Sequence, residues 1–135
     1  MANTDEKHCP IDTAMKYLGK KWTLHLIRDL FSGAKRFKDF LDANPHLSTK
    51  MLSARLKELE TAKIIAKNVV RTNPLLIEYS LTERGRALNR VLYEVALFAI
   101  NNCPEENGTT HHKQKVRDHV RTLFIDEKPQ AKVNQ

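Results

Sequence analysis

The chain has 135 residues, a mass of 15.6 kDa, 41% hydrophobic residues and a formal net charge of +7. That size suits one small domain with a single core. A mean hydropathy of −0.52, with no apolar run near the roughly 18 residues of a membrane span, excludes an integral membrane protein. Two cysteines cannot make a disulfide scaffold and the polar start Met1–His8 shows no secretory pattern, so a cytoplasmic setting is the expectation.

Pro10 opens the first predicted helix, with Ile11, Ala14, Met15 and Leu18 at helical spacing and Gly19 at its end. A second helix is expected from Trp22 to Phe31, with Leu24, Ile27, Leu30 and Phe31 inward, Trp22 as a core anchor and Ser32-Gly33 as the stop. Phe37, Phe40 and Leu41 mark a short third helix, which Asn44-Pro45-His46 ends because the residue before proline resists helical geometry. Ser48 is the expected N-cap of a fourth helix running to about Thr61. Helix, turn and capped helix make a helix-turn-helix.

Beyond Thr61 the period changes. Ile64 to Val70 and Leu76 to Leu81 are rich in β-branched residues, and Arg71-Thr72-Asn73-Pro74 between them has turn chemistry, which predicts a β-hairpin. Thr82 then caps one long helix with an apolar stripe of Leu88, Val91, Leu92, Val95, Phe98 and Ala99. Near its end Val95 to Ile100 is apolar all round, more than a monomer of this size can cover. After a loop from Glu105 to Thr110, a last helix is predicted from His112 to Ile125, followed by a frayed tail to Gln135. The fold class is therefore mainly α with a small β-hairpin wing, a winged helix-turn-helix with a C-terminal helical extension. The expected division is 1–103 for DNA binding and dimerisation and 104–135 for the extension and tail.

The positive charge is unevenly spread. Between residues 44 and 73, Lys50, Arg55, Lys57, Lys63, Lys67 and Arg71 face only Glu58 and Glu60, a balance suited to a polyanion such as double-stranded DNA. At about 100° per residue, Leu52, Leu56 and Leu59 share one face of the fourth helix. Lys50, Ser53, Ala54 and Lys57 occupy the opposite one. Small residues on that outward face let a helix sit deep in a major groove, where Ser48, Thr49, Lys50 and Ser53 can read bases and Lys57 can meet phosphate. Arg55 lies at the edge of the core face and has two readings, a phosphate contact or an internal salt bridge; the first is favoured. Lys67 and Arg71 on the hairpin suit the minor groove or flanking backbone.

Together, Cys9-Pro10, Leu18-Gly19-Lys20-Lys21-Trp22-Thr23, Arg36-Phe37, Leu52 to Leu59 and Glu78-Tyr79-Ser80-Leu81-Thr82-Glu83-Arg84-Gly85 resemble the HxlR-type winged-helix regulators, relatives of the MarR group. The resemblance covers about residues 9–101 and implies a homodimeric transcription factor on a pseudo-palindromic operator. Pro74-Leu75-Leu76 departs from the family's usual Pro-Pro-Arg and shifts weight in the wing to Arg71.

Cys9 precedes a proline-initiated helix whose dipole favours a thiolate, and Lys7 and His8 stand beside it, so it is the candidate redox sensor. The bland alternative is a small apolar residue at a dimer interface. No histidine pair has zinc spacing, and no phosphate loop, nucleophile elbow or paired carboxylates appear, so neither enzyme chemistry, a metal nor a cofactor is expected. The effector, whether small molecule or oxidant, is left open. The competing function is a winged-helix protein–protein adaptor, which should show apolar anchors where the fourth helix shows Lys and Ser.

Overall fold

The computed structural model describes residues 8–106 and 108–126. These form α1 (Pro10–Leu18), α2 (Thr23–Phe31), α3 (Phe37–Ala43) and α4 (Thr49–Thr61), then the antiparallel strands β1 (Ile65–Thr72) and β2 (Leu75–Leu81), then α5 (Glu83–Arg86), α6 (Asn89–Asn102) and α7 (Thr110–Phe124). This is the winged helix-turn-helix expected. Two compact units divide at Arg86/Ala87, so the expected boundary at 103/104 falls inside the second, between α6 and α7. Residues 127–135, which hold most of the tail read as frayed, lie outside the described residues.

The core of the first unit is built from Leu26, Ile27, Phe40, Leu52, Leu56 and Ile65, each at most 2% exposed. On α2 the inward series is Thr23, Leu26, Ile27 and Leu30, whereas the expected Leu24 and Phe31 are only half-buried. The spacing i, i+3, i+4, i+7 starts one residue earlier than the sequence suggested. A buried threonine opens it, and a hydrophobicity pattern does not count threonine. Trp22 is half-buried rather than a core anchor. It caps α2 with a left-handed backbone at φ 79° and meets the His25 ring at 5.1 Å.

A buried polar cluster fixes the bend between α2 and α4. Asn44 Nδ2 donates to Asp29 Oδ2 at 2.6 Å and to the Phe40 carbonyl at 2.9 Å. The Arg28 guanidinium donates to Asp29 Oδ1 and to Asn44 Oδ1, at 2.9 and 3.0 Å through Nη2. Asp29 and Asn44 are both 4% exposed, so these bonds replace hydration that burial removed. Asn44, legible in the sequence only as a breaker before Pro45, is thus the pin that sets where α4 begins.

α3 starts on a carboxylate. Asp39 Oδ2 accepts the N–H groups of Lys35 and Arg36 at 3.0 and 2.9 Å, satisfying donors that a helix N-terminus leaves open. Those two bonds hold the Asp39 carboxyl below its ordinary pKa of 3.8. A lowered folded-state pKa contributes stability that is complete above the unfolded value and lost as pH falls through the folded one. Acid unfolding followed by circular dichroism is therefore expected to show Asp39→Asn losing less stability than the parent between neutral pH and the acid side of 3.8. Parallel acid profiles for the two proteins would remove Asp39 from the acid sensitivity of the fold.

The hairpin is longer than expected, because Arg71 and Thr72 join the ladder opposite Leu76 and Leu75 and leave only Asn73-Pro74 as the turn. The register shifts by one between Val69 and Arg71, a bulge at Val70. The Tyr79 N–H donates to the Lys35 carbonyl at 2.7 Å and ties β2 to the start of α3.

The long helix expected from Thr82 is two helices, broken at residues 87–88. Different partners hold the two sides of the break. On one, the Thr82 hydroxyl accepts the Gly85 N–H and donates to the Lys63 carbonyl, and a side chain at Gly85 would clash with the Ile64 carbonyl. On the other, Asn89 Nδ2 donates to the Phe124 carbonyl at 2.8 Å, joining α6 to α7. In this second unit Leu92, Ile100, Val120 and Phe124 are buried. The last helix begins at Thr110, two residues before the expected His112, because Thr109 caps it by accepting the His112 N–H.

Candidate nucleic-acid interface

Ser48 is the N-cap of α4, and its Oγ accepts the Met51 N–H at 3.1 Å. Accepting that bond leaves the hydroxyl proton of an exposed side chain free to donate outward. Leu52, Leu56 and Leu59 anchor α4 at 0–2% exposure. Thr49, Lys50, Ser53, Ala54 and Lys57 are all exposed, and no acid lies between Ser48 and Lys57. The sequence-level wheel therefore has both faces in the right place.

Arg55 takes the second of its two readings. Its Nε donates to the Lys21 carbonyl at 2.9 Å, and Nη1 reaches Glu58 Oε1 at 3.2 Å. Only 14% of its side chain is exposed. Placed about 60° from the core axis of the helix, it is close enough to the apolar seam for the turn ahead of α2 to capture it. It braces α4 from within, and Glu58 is held in turn by Lys20 at 3.1 Å.

Lys67 and Arg71 are exposed on β1. Arg71 Nε donates to the Pro74 carbonyl at 3.2 Å, so the guanidinium steadies the wing tip, and among the described residues its outer nitrogens make no further hydrogen bond. Val69, Val70 and Leu75 are 53–63% exposed, so the wing is less polar than its basic residues suggested. Between wing and helix, Arg36 and Glu78 pair at 3.8 Å.

Cys9 is exposed and is the N-cap residue of α1, its carbonyl accepting the Thr13 N–H at 3.1 Å. Cys103 is half-buried at the end of α6. Of the histidines, His25 has its pKa lowered by partial burial and by nearby Arg28. Among the described residues no three of His, Cys, Asp and Glu are grouped to hold a metal ion, and no helix is long and apolar enough to cross a membrane.

Sequence reasoning missed one feature and placed another second. The Arg28–Asp29–Asn44 cluster had a signal only in an aspartate within an otherwise apolar helix face. The burial of Arg55 had its signal in the wheel angle itself.

A capped helix with a basic outward face, set in a helix-turn-helix and followed by a β-hairpin wing, defines the winged helix-turn-helix class. Residues 17–107 match the family model described as HxlR-like helix-turn-helix, and the chain belongs to that family. Over 108 residues, 79% of this chain and 96% of the relative, it is 39% identical to the transcriptional regulator YodB of Bacillus subtilis strain 168. The solved structure of reduced YodB matches at a TM-score of 0.62 and 40% identity, covering 71% of this chain and 95% of that one. The redox regulator HypR in its reduced form matches at a TM-score of 0.66 and 32% identity, covering 70% and 93%. The protein is thus a transcriptional regulator of the HxlR/YodB type.

Proposed function

We propose that the protein is a homodimeric, sequence-specific DNA-binding regulator whose occupancy of DNA responds to thiol oxidation at Cys9. The observation that carries the DNA reading is the outward face of α4, exposed, basic and free of acids from Ser48 to Lys57. Ser48, Thr49, Lys50 and Ser53 meet base edges in the major groove. Lys50 and Lys57, with Lys67 and Arg71 on the wing, neutralise phosphates and release counterions. Arg55 holds the helix rigid from the core side.

Dimerisation is supported by α6, where Val91, Val95 and Phe98 are 39%, 51% and 65% exposed at i, i+4 and i+7. Such an apolar stripe on a helix face is what a second copy covers. Two reading helices about one helical turn apart then match a pseudo-palindromic site.

Redox response is supported by the exposure of Cys9 at the start of α1 and by the likeness to HypR, a redox regulator. An exposed thiol at a helix start is open to oxidant attack.

Fluorescence anisotropy with duplex DNA across a salt series, with and without diamide, tests these points together. The expected result is binding by two chains per site with a steep salt slope, abolished by diamide in the parent and retained in Cys9→Ser. Oxidant-insensitive binding in both proteins would keep the regulator and discard the sensor. Weak, slope-free binding would favour the protein–protein adaptor.

A further inference from the structure

The first unit holds a groove of about 770 Å³, within the roughly 300–1,000 Å³ typical of small-ligand clefts. Its walls come from the end of α1, the start of α2, the second half of α4 and α5. Five cations line it, Lys16, Lys20, Lys57, Lys63 and Arg84, against a single carboxylate, Glu58. Setting the Lys20–Glu58 pair aside leaves four positive charges. Lys16, Lys57 and Lys63 have no ion-pair partner among the described residues. The Arg84 guanidinium lies 5.0 Å from the centroid of the Tyr17 ring, and Leu59, 2% exposed, adds apolar wall.

Like charges gathered around one concavity repel each other and focus a positive potential into it. A single carboxylate or chloride relieves little of that; a compact anion with several charges relieves most of it. Lysine ammonium groups meet phosphoryl oxygens as point charges, and a stacked Tyr–Arg pair offers a flat surface to an organic body. We infer that this groove binds a small organic polyphosphate of nucleotide size. Its consequence for regulation rests on the DNA-binding reading above. Lys57 and Ala54 belong both to the groove and to the outward side of α4, so a ligand that engages Lys57 withdraws it from the duplex and weakens DNA binding.

The test uses the full chain with ATP and with pyrophosphate, both without magnesium, against sulfate at matched ionic strength. The variant is Lys16→Gln/Arg84→Gln, two exposed groove positions outside the basic stretch 44–73 and with no role assigned in DNA reading. ATP and pyrophosphate are expected to raise the melting temperature of the parent where sulfate does not, since a ligand bound to the native state stabilises it by mass action. The dissociation constant from calorimetry should rise at least tenfold in the variant. DNA affinity of the ligand-free variant should stay within twofold of the parent, and ATP should weaken DNA binding by the parent alone. Equal responses to sulfate, or equal responses of parent and variant, would overturn the site. So would a variant that loses DNA affinity while the parent ignores ATP, because the cations then serve the DNA backbone. The melting shift is read without DNA, so a parent that binds ATP but no duplex counts against the regulator reading and leaves the groove standing.

Discussion

Replacing Lys50 and Lys57 together by alanine is expected to weaken duplex binding on the order of a hundredfold at moderate salt, through loss of two charge-assisted phosphate contacts per chain. The slope of log affinity against log salt should fall by about 1.8 for each chain bound, since each phosphate neutralised releases roughly 0.9 of a counterion. Both side chains are exposed and on the side of α4 opposite Leu52, Leu56 and Leu59, so the melting temperature should hardly move. That combination separates an interface effect from damage to the fold. Anisotropy titrations at four salt concentrations measure both quantities. An unchanged slope would mean that α4 does not face phosphate, and the reading helix would have to be sought elsewhere. Arg55→Ala should behave differently. It removes the bonds to the Lys21 carbonyl and Glu58, so its DNA defect should come with a lower melting temperature.

The second large effect is on stability. Asn44→Ala deletes three hydrogen bonds at once and leaves Asp29 Oδ2 without its donor in a site 4% exposed, while the Phe40 carbonyl keeps the bond from the backbone N–H of residue 44 at 3.1 Å. Leaving buried polar groups unsatisfied costs about 1–3 kcal/mol each, more where one is charged. Allowing for relaxation, a loss of about 2–4 kcal/mol is expected, or roughly 10–25 °C in melting temperature for a unit of this size. Thermal denaturation by circular dichroism reads it directly. The substitution also unpins the turn that delivers Ser48 to the start of α4. DNA binding should therefore fall at temperatures where the protein is still folded. A loss below 1 kcal/mol would show that water or a rearranged Arg28 takes over the duties of Asn44.

Stability and recognition meet in this turn. The Arg28–Asp29–Asn44 cluster costs the unit a buried carboxylate, yet it fixes the turn from which α4 starts. A hydrophobic replacement could pack as well without specifying that turn, since apolar contacts are not directional.

Much of this molecule is legible in its sequence because local chemistry decides it. Pro10 starts α1 through its fixed φ, and Ser48 and Thr82 cap α4 and α5 through bonds to residues three positions on. The two faces of α4 follow from a 3.6-residue repeat, and the change of period after Thr61 announces the hairpin. The tertiary structure alone decided the rest, for a common reason: each case turns on a contact between residues far apart in sequence. Arg55 turns inward because the Lys21 carbonyl, 34 residues away, lies within reach. Asn44 is a structural pin because Asp29 lies opposite it. The predicted long helix breaks after Arg86 because α5 is fastened to Lys63 and Ile64 while α6 is fastened to Phe124. The cations of the groove, drawn from residues 16, 20, 57, 63 and 84, have no spacing that a linear reading could recognise, and only the packing of α1, α2, α4 and α5 gathers them at one place.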